Sequence, residues 1–418
     1  MNLTKVAQHV VEQRYLDEDE TFDDRIGSVA EAAASVENDS NKWARKFYNE
    51  IDNQRFIPSS PIMMSFGKDK PFASACNTVP IGDSMYEIMQ AATQQALILK
   101  YGGGCGFNFG TLRSRGTSIA DTGGTASGPC SFMDIYAAVS RTVEQGGRRR
   151  GANMGILPVD HPDVIEFINL KVEKPHESYL EEFNLSVGIY DSFMEQLEQN
   201  MSTPMIDPED GQVGYESAQK IWDNIIQSAW KSGDPGLYFL DTANRNSPLD
   251  EWLGATNPCG EEPMPPFGSC ILGHVNIPEF FDDDGEFNWF DYEDTIRIAT
   301  RFLDNAIDVT EYPIDELRER AEKDRLIGVG MMGVSEALAR MGLPYDSEDG
   351  RQQAAVFADI LTQISIEESE DIAKEKGAIE NFDRRNAWTT TVAPTGTCSL
   401  VGDTTPGCEP PFLLMYKK

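Results

Sequence analysis

Apolar residues recur at helical spacing in long stretches of the second half of the chain, and short apolar runs lie between these stretches. A spacing of three and four residues places apolar side chains on one face of a helix, whereas short continuous runs are typical of buried strands. We therefore predict helices over about 289–309, 314–323 and 351–376, and strands at 326–329 and 387–392. This alternation predicts the α/β class.

The first half of the chain carries local signals at several element ends. A cap at Asp39-Ser40 predicts a helix through about residue 56, and a cap at Asp83-Ser84 predicts a helix through residue 101. Gly233 predicts the end of a helix over about 215–231. The other predicted elements are helices from about 131 and over 161–171, and strands at about 73–80, 183–187 and 237–241.

The chain shows no linker, low-complexity segment or internal repeat. Its 418 residues, 40 % of them hydrophobic, are enough for a large packed core. We predict a helical N-terminal segment over 1–56 and one large domain over 57–418.

The acidic composition limits the class of partner. The formal net charge is −34, which repels a phosphate backbone, so we expect no nucleic acid partner. Small phosphates in a locally basic or amide-lined pocket stay compatible with this charge. An apolar run of 18 residues and a signal peptide are both lacking, which predicts a cytoplasmic protein that does not enter a membrane.

The cysteines indicate thiol chemistry more than a structural framework. Their number is odd, no Cys-x-x-Cys pair occurs, and only four histidines accompany them, so we predict neither a zinc knuckle nor any other metal site. A reducing compartment disfavours a disulfide framework. Each thiol is therefore a small core residue or a redox or radical thiol; the seven are Cys76, Cys105, Cys130, Cys259, Cys270, Cys398 and Cys408.

One loop combines a thiol, an amide and a carboxylate in five residues. The stretch Asn257-Pro258-Cys259-Gly260-Glu261 predicts a tight turn that pushes one sulfur forward, because proline fixes φ and glycine permits unusual backbone angles. A carboxylate at this position can move protons, and an amide can hold a hydroxyl. The same stretch is also compatible with a plain turn that carries an incidental cysteine.

Several glycine- and hydroxyl-rich stretches are compatible with phosphate binding. The run 102–106 offers backbone amides that suit anions, and 393–399 combines amides and hydroxyls at the end of a predicted strand. The run 121–128 predicts a flexible loop. Three arginines within 145–151 indicate either neutralisation of nearby carboxylates or contact with phosphate, and both interpretations stay open.

From about Ser59 to the last residue, the order and spacing of these motifs resemble the catalytic subunit of ribonucleotide reductases. The resemblance implies a ten-stranded α/β barrel of two antiparallel half-barrels with a central finger loop. It implies the thiyl-radical reduction of ribonucleotides to deoxyribonucleotides for DNA synthesis. The motifs that carry it are Ser-Pro-Ile-Met, the strand cysteine Cys76, the triple glycine, Thr-Gly-Gly-Thr-Ala-Ser-Gly-Pro, Gln-Gly-Gly-Arg-Arg-Arg-Gly-Ala, Asn-Pro-Cys-Gly-Glu and Ala-Pro-Thr-Gly-Thr.

The resemblance assigns roles to five catalytic residues. Cys259 matches the cysteine that carries the transient thiyl radical and takes the ribose 3′-hydrogen. Glu261 matches the base on the 3′-hydroxyl, and Asn257 matches a residue that hydrogen-bonds the substrate hydroxyls. Cys76 and Cys270 match the pair that supplies two electrons and becomes a disulfide as the 2′-hydroxyl leaves.

Binding residues follow from the same resemblance. The implied substrate contacts are Ser60, Gly104, Pro394, Thr395, Gly396, Thr397, Cys398 and Ser399. The implied contacts of a deoxynucleotide effector at a homodimer interface are Asp83, Ser84, Met85 and Arg113. The loop 121–128 matches an effector-sensing loop, and the stretch 184–187 lies near the loop that reports effector identity to the substrate base.

The chain departs from many relatives at both ends. The leader is too short for the ATP-binding regulatory region, which disfavours on/off control by ATP and dATP. The last barrel strands and the tail dithiol are expected to be missing, which indicates a minimal enzyme or completion by a second polypeptide or a splicing event. A thioredoxin- or glutaredoxin-type protein is the implied reductant.

Two radical sources stay open. The eleven-residue spacing from Cys259 to Cys270 is most similar to the adenosylcobalamin-dependent class, which we favour. Compact phage-type relatives instead use a small ferritin-like diiron or dimanganese subunit. Two other functions are compatible with the chain: a non-catalytic nucleotide-binding or assembly subunit, or one half of a split reductase. A thiol hydrolase built on Cys259 would need His274 as its base.

Overall fold

A computed structural model describes residues 3–119, 123–143, 151–173 and 180–411. The chain divides into two compact units, of which the first comprises Met1–Ala75 and Ser269–Lys418 and the second comprises Cys76–Gly268. The arginine run at 148–150 lies outside the described residues, as do positions 121 and 122 of the predicted effector-sensing loop.

The elements follow one another along the chain as helices and short strands. The helices are α1 (Lys5–Arg14), α2 (Phe22–Ala34), α3 (Ser40–Asp52), α4 (Ser60–Ser65), α5 (Met85–Lys100), α6 (Pro129–Thr142), α7 (Val164–Glu173), α8 (Asp191–Glu198), α9 (Ala218–Ser232), α10 (Leu240–Asn246), α11 (Trp289–Val309), α12 (Asp315–Asp324), α13 (Val334–Arg340), α14 (Glu348–Lys376) and α15 (Cys398–Val401). The strands are β1 (Phe56–Pro58), β2 (Ser74–Thr78), β3 (Gly104–Asn108), β4 (Ser118–Ile119), β5 (Gly124–Thr125), β6 (Asn153–Pro158), β7 (Phe183–Ile189), β8 (Ser202–Asp207), β9 (Gly211–Ser217), β10 (Gly236–Phe239), β11 (Ala255–Thr256), β12 (Pro263–Met264), β13 (Ser269–Asn276) and β14 (Ile327–Met332).

In the second unit, parallel strands form the sheet that supports the site. From Cys76 onward β2 pairs with β3, and β6, β7 and β10 follow in that order, every pair parallel. Parallel strands that are connected through helices are covered on both faces, and β6 is accordingly buried along its whole length. This sheet confirms the α/β class and corresponds to one half of the expected barrel, whereas the count of ten strands stays a prediction.

In the first unit, β13 lies between β1, to which it is antiparallel, and β14, to which it is parallel. Side chains of a strand alternate between its two faces. Ile271 and Val275 of β13 therefore share one face and join the hydrophobic core with α11, while Cys270 and His274 lie on the other face.

Three of the predicted helix boundaries are confirmed by their hydrogen bonds. The Asp39 carboxylate accepts a hydrogen bond from the Lys42 amide, and the Ser84 hydroxyl accepts one from the Glu87 amide. Gly233 ends α9 in the left-handed conformation with φ +85°, which a residue with a Cβ adopts only with strain.

Three predicted elements are corrected by backbone pairing. The helix predicted over 40–56 is α3, which ends at Asp52 because residues 56–58 form β1 instead. The helix predicted from 215 begins at Ala218 because 211–217 pair with β8. The predicted strand at 387–392 is reduced to one isolated bridge between Val329 and Thr390.

The predicted domain boundary after residue 56 stays a prediction. Within the described residues, none of the helices combines the length and apolar character that a bilayer crossing requires.

Candidate active site

The loop that carries Cys259 is a short hairpin of the second unit. Its stem is the antiparallel pair of β11 and β12. The backbone N–H of Asn257 donates to the Glu262 carbonyl at 3.1 Å, which closes the loop above the stem. Gly260 adopts φ +90° at the turn, and Cys259 beside it is exposed. The predicted tight turn with a forward sulfur is therefore what the chain forms.

The Asn257 side chain joins this loop to Cys76 within the second unit. Its Oδ1 accepts hydrogen bonds from the amides of Gly260 at 3.2 Å and Glu262 at 3.0 Å. Its Nδ2 lies 3.0 Å from Cys76 Sγ and donates to it. Asn257 is fully buried, so both ends of the amide act without competition from water. One side chain thus fixes the loop conformation and contacts a second predicted catalytic residue.

Two glycines of β3 allow the loop to lie directly on the sheet. A Cβ at Gly106 would stand 1.6 Å from the Thr256 carbonyl oxygen, and a Cβ at Gly104 would stand 2.5 Å from Pro258 Cγ. The Asn184 side chain of β7 holds the same loop by donating to the Pro258 carbonyl at 2.7 Å. The dense glycines thus have a packing role in addition to the predicted substrate contact at Gly104, which stays a prediction.

Burial and neighbouring charge set the protonation states of the loop. Burial raises the pKa of the Glu261 carboxyl above its usual range, which makes its carboxylate a stronger base. Burial, followed by electrostatic interaction with Glu261, Glu262 and Cys259, raises the pKa of the Cys76 thiol well above its usual range, and the Asn257 hydrogen bond opposes this shift. At neutral pH Cys76 is therefore a protonated thiol beside a base.

Sequence reasoning missed Glu262. This carboxyl is 3 % exposed, follows Glu261 directly and contributes to the electrostatic field on Cys76. The doubled glutamate at the end of the loop was the available signal. A second buried negative charge disfavours a Cys76 thiolate further.

The remaining predicted catalytic residue, Cys270, lies on β13 of the first unit and is fully buried. Its carbonyl oxygen is 3.5 Å from Ser74 Oγ, a hydroxyl that also accepts a hydrogen bond from Ser269. Because Cys270 and Cys259 belong to different units, their roles as partners stay a prediction.

The predicted substrate residues of the first unit are engaged by α1. The Ser60 and Tyr15 hydroxyls are 2.9 Å apart, and Arg14 Nη1 donates to the Thr397 hydroxyl at 2.8 Å. Sequence reasoning missed Arg14 and Tyr15, because nothing in a polar helix signals a contact of Arg14 with a residue that lies 383 positions away.

The run 394–399 is fixed by its own backbone contacts. Thr395 adopts φ +53° and its hydroxyl accepts a hydrogen bond from the Gly407 amide at 2.7 Å. Cys398 Sγ lies 3.7 Å from the Pro58 carbonyl oxygen. The run forms a compact turn that ends in α15, as the Pro-Thr-Gly-Thr pattern predicts.

Of the four predicted effector residues, Asp83 and Arg113 contact each other, whereas Ser84 and Met85 have separate surroundings. Arg113 Nε donates to Asp83 Oδ2 at 2.6 Å and the Arg113 amide donates to Asp83 Oδ1 at 3.0 Å. This contact raises the pKa of the Arg113 guanidinium. Ser84 caps α5, and the Met85 side chain is 61 % exposed. Asp83 and Arg113 therefore lie together in the second unit at the start of α5.

His274 is a buried and neutral imidazole of the first unit. Its Nδ1 has no hydrogen-bond partner among the described residues, and a Cβ at Gly330 would stand 2.6 Å from that atom. Burial lowers the pKa of the His274 imidazole to about 4, which makes it a weak base and disfavours the thiol hydrolase.

We expect the His274 pKa to appear in the pH dependence of stability. The imidazole is neutral in the folded chain above about pH 4, but in the unfolded chain it binds a proton below about pH 6.5. Its contribution to the free energy of unfolding is therefore complete above pH 6.5 and is lost as the pH falls towards 4. Between pH 7 and 4.5 the free energy of unfolding should fall by roughly 2–3 kcal/mol more in the wild type than in His274→Gln. Urea unfolding of both proteins at the two pH values measures this difference, and equal losses would contradict the assignment.

Within the described ranges 3–119, 123–143, 151–173 and 180–411, no set of three His, Cys, Asp or Glu side chains is placed to hold a metal ion. The site defined by these residues is of the thiol class, with an exposed loop cysteine above a buried strand cysteine in a parallel α/β sheet.

Known protein families include one whose models match most of this chain. Residues 74–386 match the family model described as ribonucleotide reductase, barrel domain, and residues 1–71 match ribonucleotide reductase, all-alpha domain. The chain therefore belongs to the ribonucleotide reductase large-chain family, as the sequence motifs predicted.

The similar curated proteins are longer than this chain. A vitamin B12-dependent ribonucleoside-diphosphate reductase of Mycobacterium tuberculosis (strain CDC 1551 / Oshkosh) is 40 % identical over 100 % of the chain and 63 % of the relative. The protein of the same name from Thermoplasma acidophilum is 34 % identical over 96 % of the chain and 54 % of the relative. The ribonucleoside-diphosphate reductase large chain of Schizosaccharomyces pombe is 28 % identical over 85 % of the chain and 48 % of the relative. The chain thus spans about half to three fifths of the length of these relatives.

Proposed function

We propose that this chain reduces ribonucleotides to 2′-deoxyribonucleotides through a thiyl radical on Cys259. The observation that carries the proposal is the 3.0 Å contact of Asn257 Nδ2 with Cys76 Sγ, which joins the exposed-cysteine loop to the buried strand cysteine. A plain turn would need neither this buried amide nor the carboxyl groups beside it. Ribonucleoside diphosphates are the proposed substrates, since the M. tuberculosis and T. acidophilum relatives are named for them.

The proposed chemistry divides the work among five side chains. The Cys259 thiyl takes the 3′-hydrogen, and Glu261, whose pKa is raised, takes the 3′-hydroxyl proton. Protonated Cys76 gives its proton to the departing 2′-hydroxyl, which leaves as water. Cys76 and Cys270 together supply two electrons and form a disulfide, and the hydrogen of the Cys270 thiol goes to C2′ in place of the lost hydroxyl. Glu261 returns its proton to the 3′-oxygen, and the 3′-hydrogen returns from Cys259. One dithiol is consumed for each deoxynucleotide.

Asn257 has a positioning role in this proposal. Its Oδ1 fixes the amides of Gly260 and Glu262, which holds the turn that directly follows Cys259. Its Nδ2 carries two N–H donors, so one can contact a substrate hydroxyl while the other stays on Cys76 Sγ. Substrate binding and the acidity of Cys76 are therefore expected to be linked through this amide.

Adenosylcobalamin is the proposed radical source. When bound, it supplies a carbon-centred radical that can oxidise a thiol. The chain fits such a group in one respect, because Cys259 is exposed while Asn257 and Cys76 beneath it are buried. A radical can therefore reach the Cys259 sulfur from outside without displacing the residues below.

The direct test is turnover with defined radical sources. The full chain should convert each ribonucleoside diphosphate to its deoxynucleotide with adenosylcobalamin and a dithiol, and a thioredoxin- or glutaredoxin-type protein should replace the dithiol. A ferritin-like diiron or dimanganese subunit is the comparison arm, and turnover with it alone would replace cobalamin in the proposal. Nucleotide binding without turnover in every arm would favour a non-catalytic subunit or one half of a split reductase.

Asp83 and Arg113 are proposed to bind a deoxynucleoside triphosphate effector at a homodimer interface. Their 2.6 Å ion pair keeps a guanidinium oriented at the start of α5, beside the exposed Met85. A phosphate can replace or share the Asp83 carboxylate as the partner of Arg113, since both anions accept two parallel N–H bonds.

Arg113→Ala is expected to weaken effector binding by about 10- to 100-fold, the loss of a charge-assisted contact of roughly 1.5–3 kcal/mol. Equilibrium dialysis with labelled deoxynucleoside triphosphates measures the effect. Arg245→Ala is the matched control, because Arg245 is an exposed arginine of the same unit that pairs with Asp191 instead. Unchanged affinity in Arg113→Ala would remove this residue from the effector site.

A further inference from the structure

The last residue of α1, Arg14, and the residue after it, Tyr15, contact two residues of the proposed substrate site, all within the first unit. Arg14 Nη1 donates to Thr397 Oγ1 at 2.8 Å, and the Tyr15 and Ser60 hydroxyls are 2.9 Å apart. Tyr15 is fully buried, whereas Arg14 is exposed. Tyr15 therefore anchors the end of the helix, while the Arg14 side chain reaches the Thr397 hydroxyl from the solvent side.

The Arg14 guanidinium has donors left for an anion. A guanidinium carries five N–H donors in a planar fork that matches phosphate and carboxylate oxygens. Over the described residues, Arg14 donates to one hydroxyl, and no carboxylate oxygen lies within 4.0 Å of its nitrogens. The chain has 69 acidic and 35 basic residues, so an arginine that meets a hydroxyl instead of a carboxylate is unusual here.

A buried hydroxyl without a partner lies in the segment against which the run 394–399 packs. Cys398 Sγ of that run is 3.7 Å from the Pro58 carbonyl oxygen, and Ser59 is the next residue. Ser59 is 4 % exposed, and its Oγ has no hydrogen-bond partner among the described residues. A buried polar group left without a partner destabilises a protein by roughly 1–3 kcal/mol, so a ligand or a water is expected to complete it.

We propose that Arg14 is a specificity-determining residue that binds the terminal phosphate of a ribonucleoside diphosphate whose first phosphate lies on the run 394–399. The inference rests on the proposed function, because it takes the run 394–399, which the family resemblance assigns to substrate contact, as the place of the first phosphate of that function's substrate. Two parallel N–H bonds from the guanidinium would hold the terminal phosphate, and the Thr397 hydroxyl keeps the fork in place. Arg14 thereby distinguishes nucleotides by their number of phosphates, independently of base and sugar.

The test is a phosphate series measured without a radical source, so that binding is separated from turnover. Dissociation constants of cytidine, its monophosphate and its diphosphate are determined by calorimetry on the full chain. Arg14→Gln should weaken the diphosphate by about 10- to 100-fold and change the other two by less than about twofold, and Arg14→Lys should restore part of the loss. Arg45→Gln is the control, because Arg45 is an exposed arginine of α3 in the same unit, and it should bind all three as the wild type does.

The outcomes separate this inference from the function on which it rests. Wild-type diphosphate affinity in Arg14→Gln would overturn the role of Arg14 and leave the proposed function standing. An equal loss for all three compounds, with a lower melting temperature, would show that Arg14 only docks α1 and would also overturn the inference. A wild-type chain that binds none of the three would overturn the proposed function and the inference together.

Discussion

Cys259→Ser is expected to abolish deoxynucleotide formation while the chain still folds and binds its nucleotides. The substitution replaces only sulfur by oxygen at an exposed loop tip, so packing is unchanged. A serine hydroxyl holds its hydrogen too strongly to be converted into the radical that the reaction needs. We expect turnover to fall by at least about four orders of magnitude, which corresponds to roughly 5 kcal/mol in the barrier.

Chromatographic measurement of deoxynucleotide per chain checks this result. Cys408→Ser is the matched control, because Cys408 is a partly exposed cysteine outside the proposed site and its loss should leave turnover unchanged. Measurable turnover by Cys259→Ser would show that another residue carries the radical. Equal loss in both variants would point to general damage by serine substitution.

Gly106→Ala is expected to displace the whole Cys259 loop. The added Cβ would stand 1.6 Å from the Thr256 carbonyl oxygen, and because the obstacle is backbone, no side-chain rotation can relieve the overlap. The loop must move by more than about 1 Å, a displacement that lowers turnover by roughly 100-fold when reacting groups are misplaced. The overlap should also destabilise the fold by about 1–3 kcal/mol.

Steady-state turnover and thermal unfolding of Gly106→Ala measure the two effects. Gly214→Ala in β9 is the control from the same unit, since a Cβ there meets no atom within 4 Å. The control should match the wild type in both measurements. Wild-type turnover in Gly106→Ala would mean that the loop does not need its close approach to β3.

The parts of the site that sequence predicts well depend on local signals. The Asn257–Glu261 turn follows from proline and glycine at fixed positions, and the ends of α5 and α9 follow from Ser84 and Gly233. Each of these features depends on residues within a few positions, so no knowledge of the fold is needed.

Other parts depend on contacts between distant residues and could not be predicted. Arg14 reaches Thr397 only because the fold brings together residues 383 positions apart. Residues 387–392 have a strand-like sequence, but only Thr390 forms a bridge to β14. The glycines at 104 and 106 were noticed for their density, yet their packing against the Cys259 loop becomes visible only in three dimensions.

The most direct measurement of the central claim is a single anaerobic turnover without external reductant, followed by peptide mapping of the cysteines. The account predicts one disulfide per deoxynucleotide formed, joining Cys76 to Cys270, while the other cysteines, Cys105, Cys130, Cys259, Cys398 and Cys408, stay open to alkylation in the denatured chain. Deoxynucleotide formed while both Cys76 and Cys270 remain alkylatable would contradict the account.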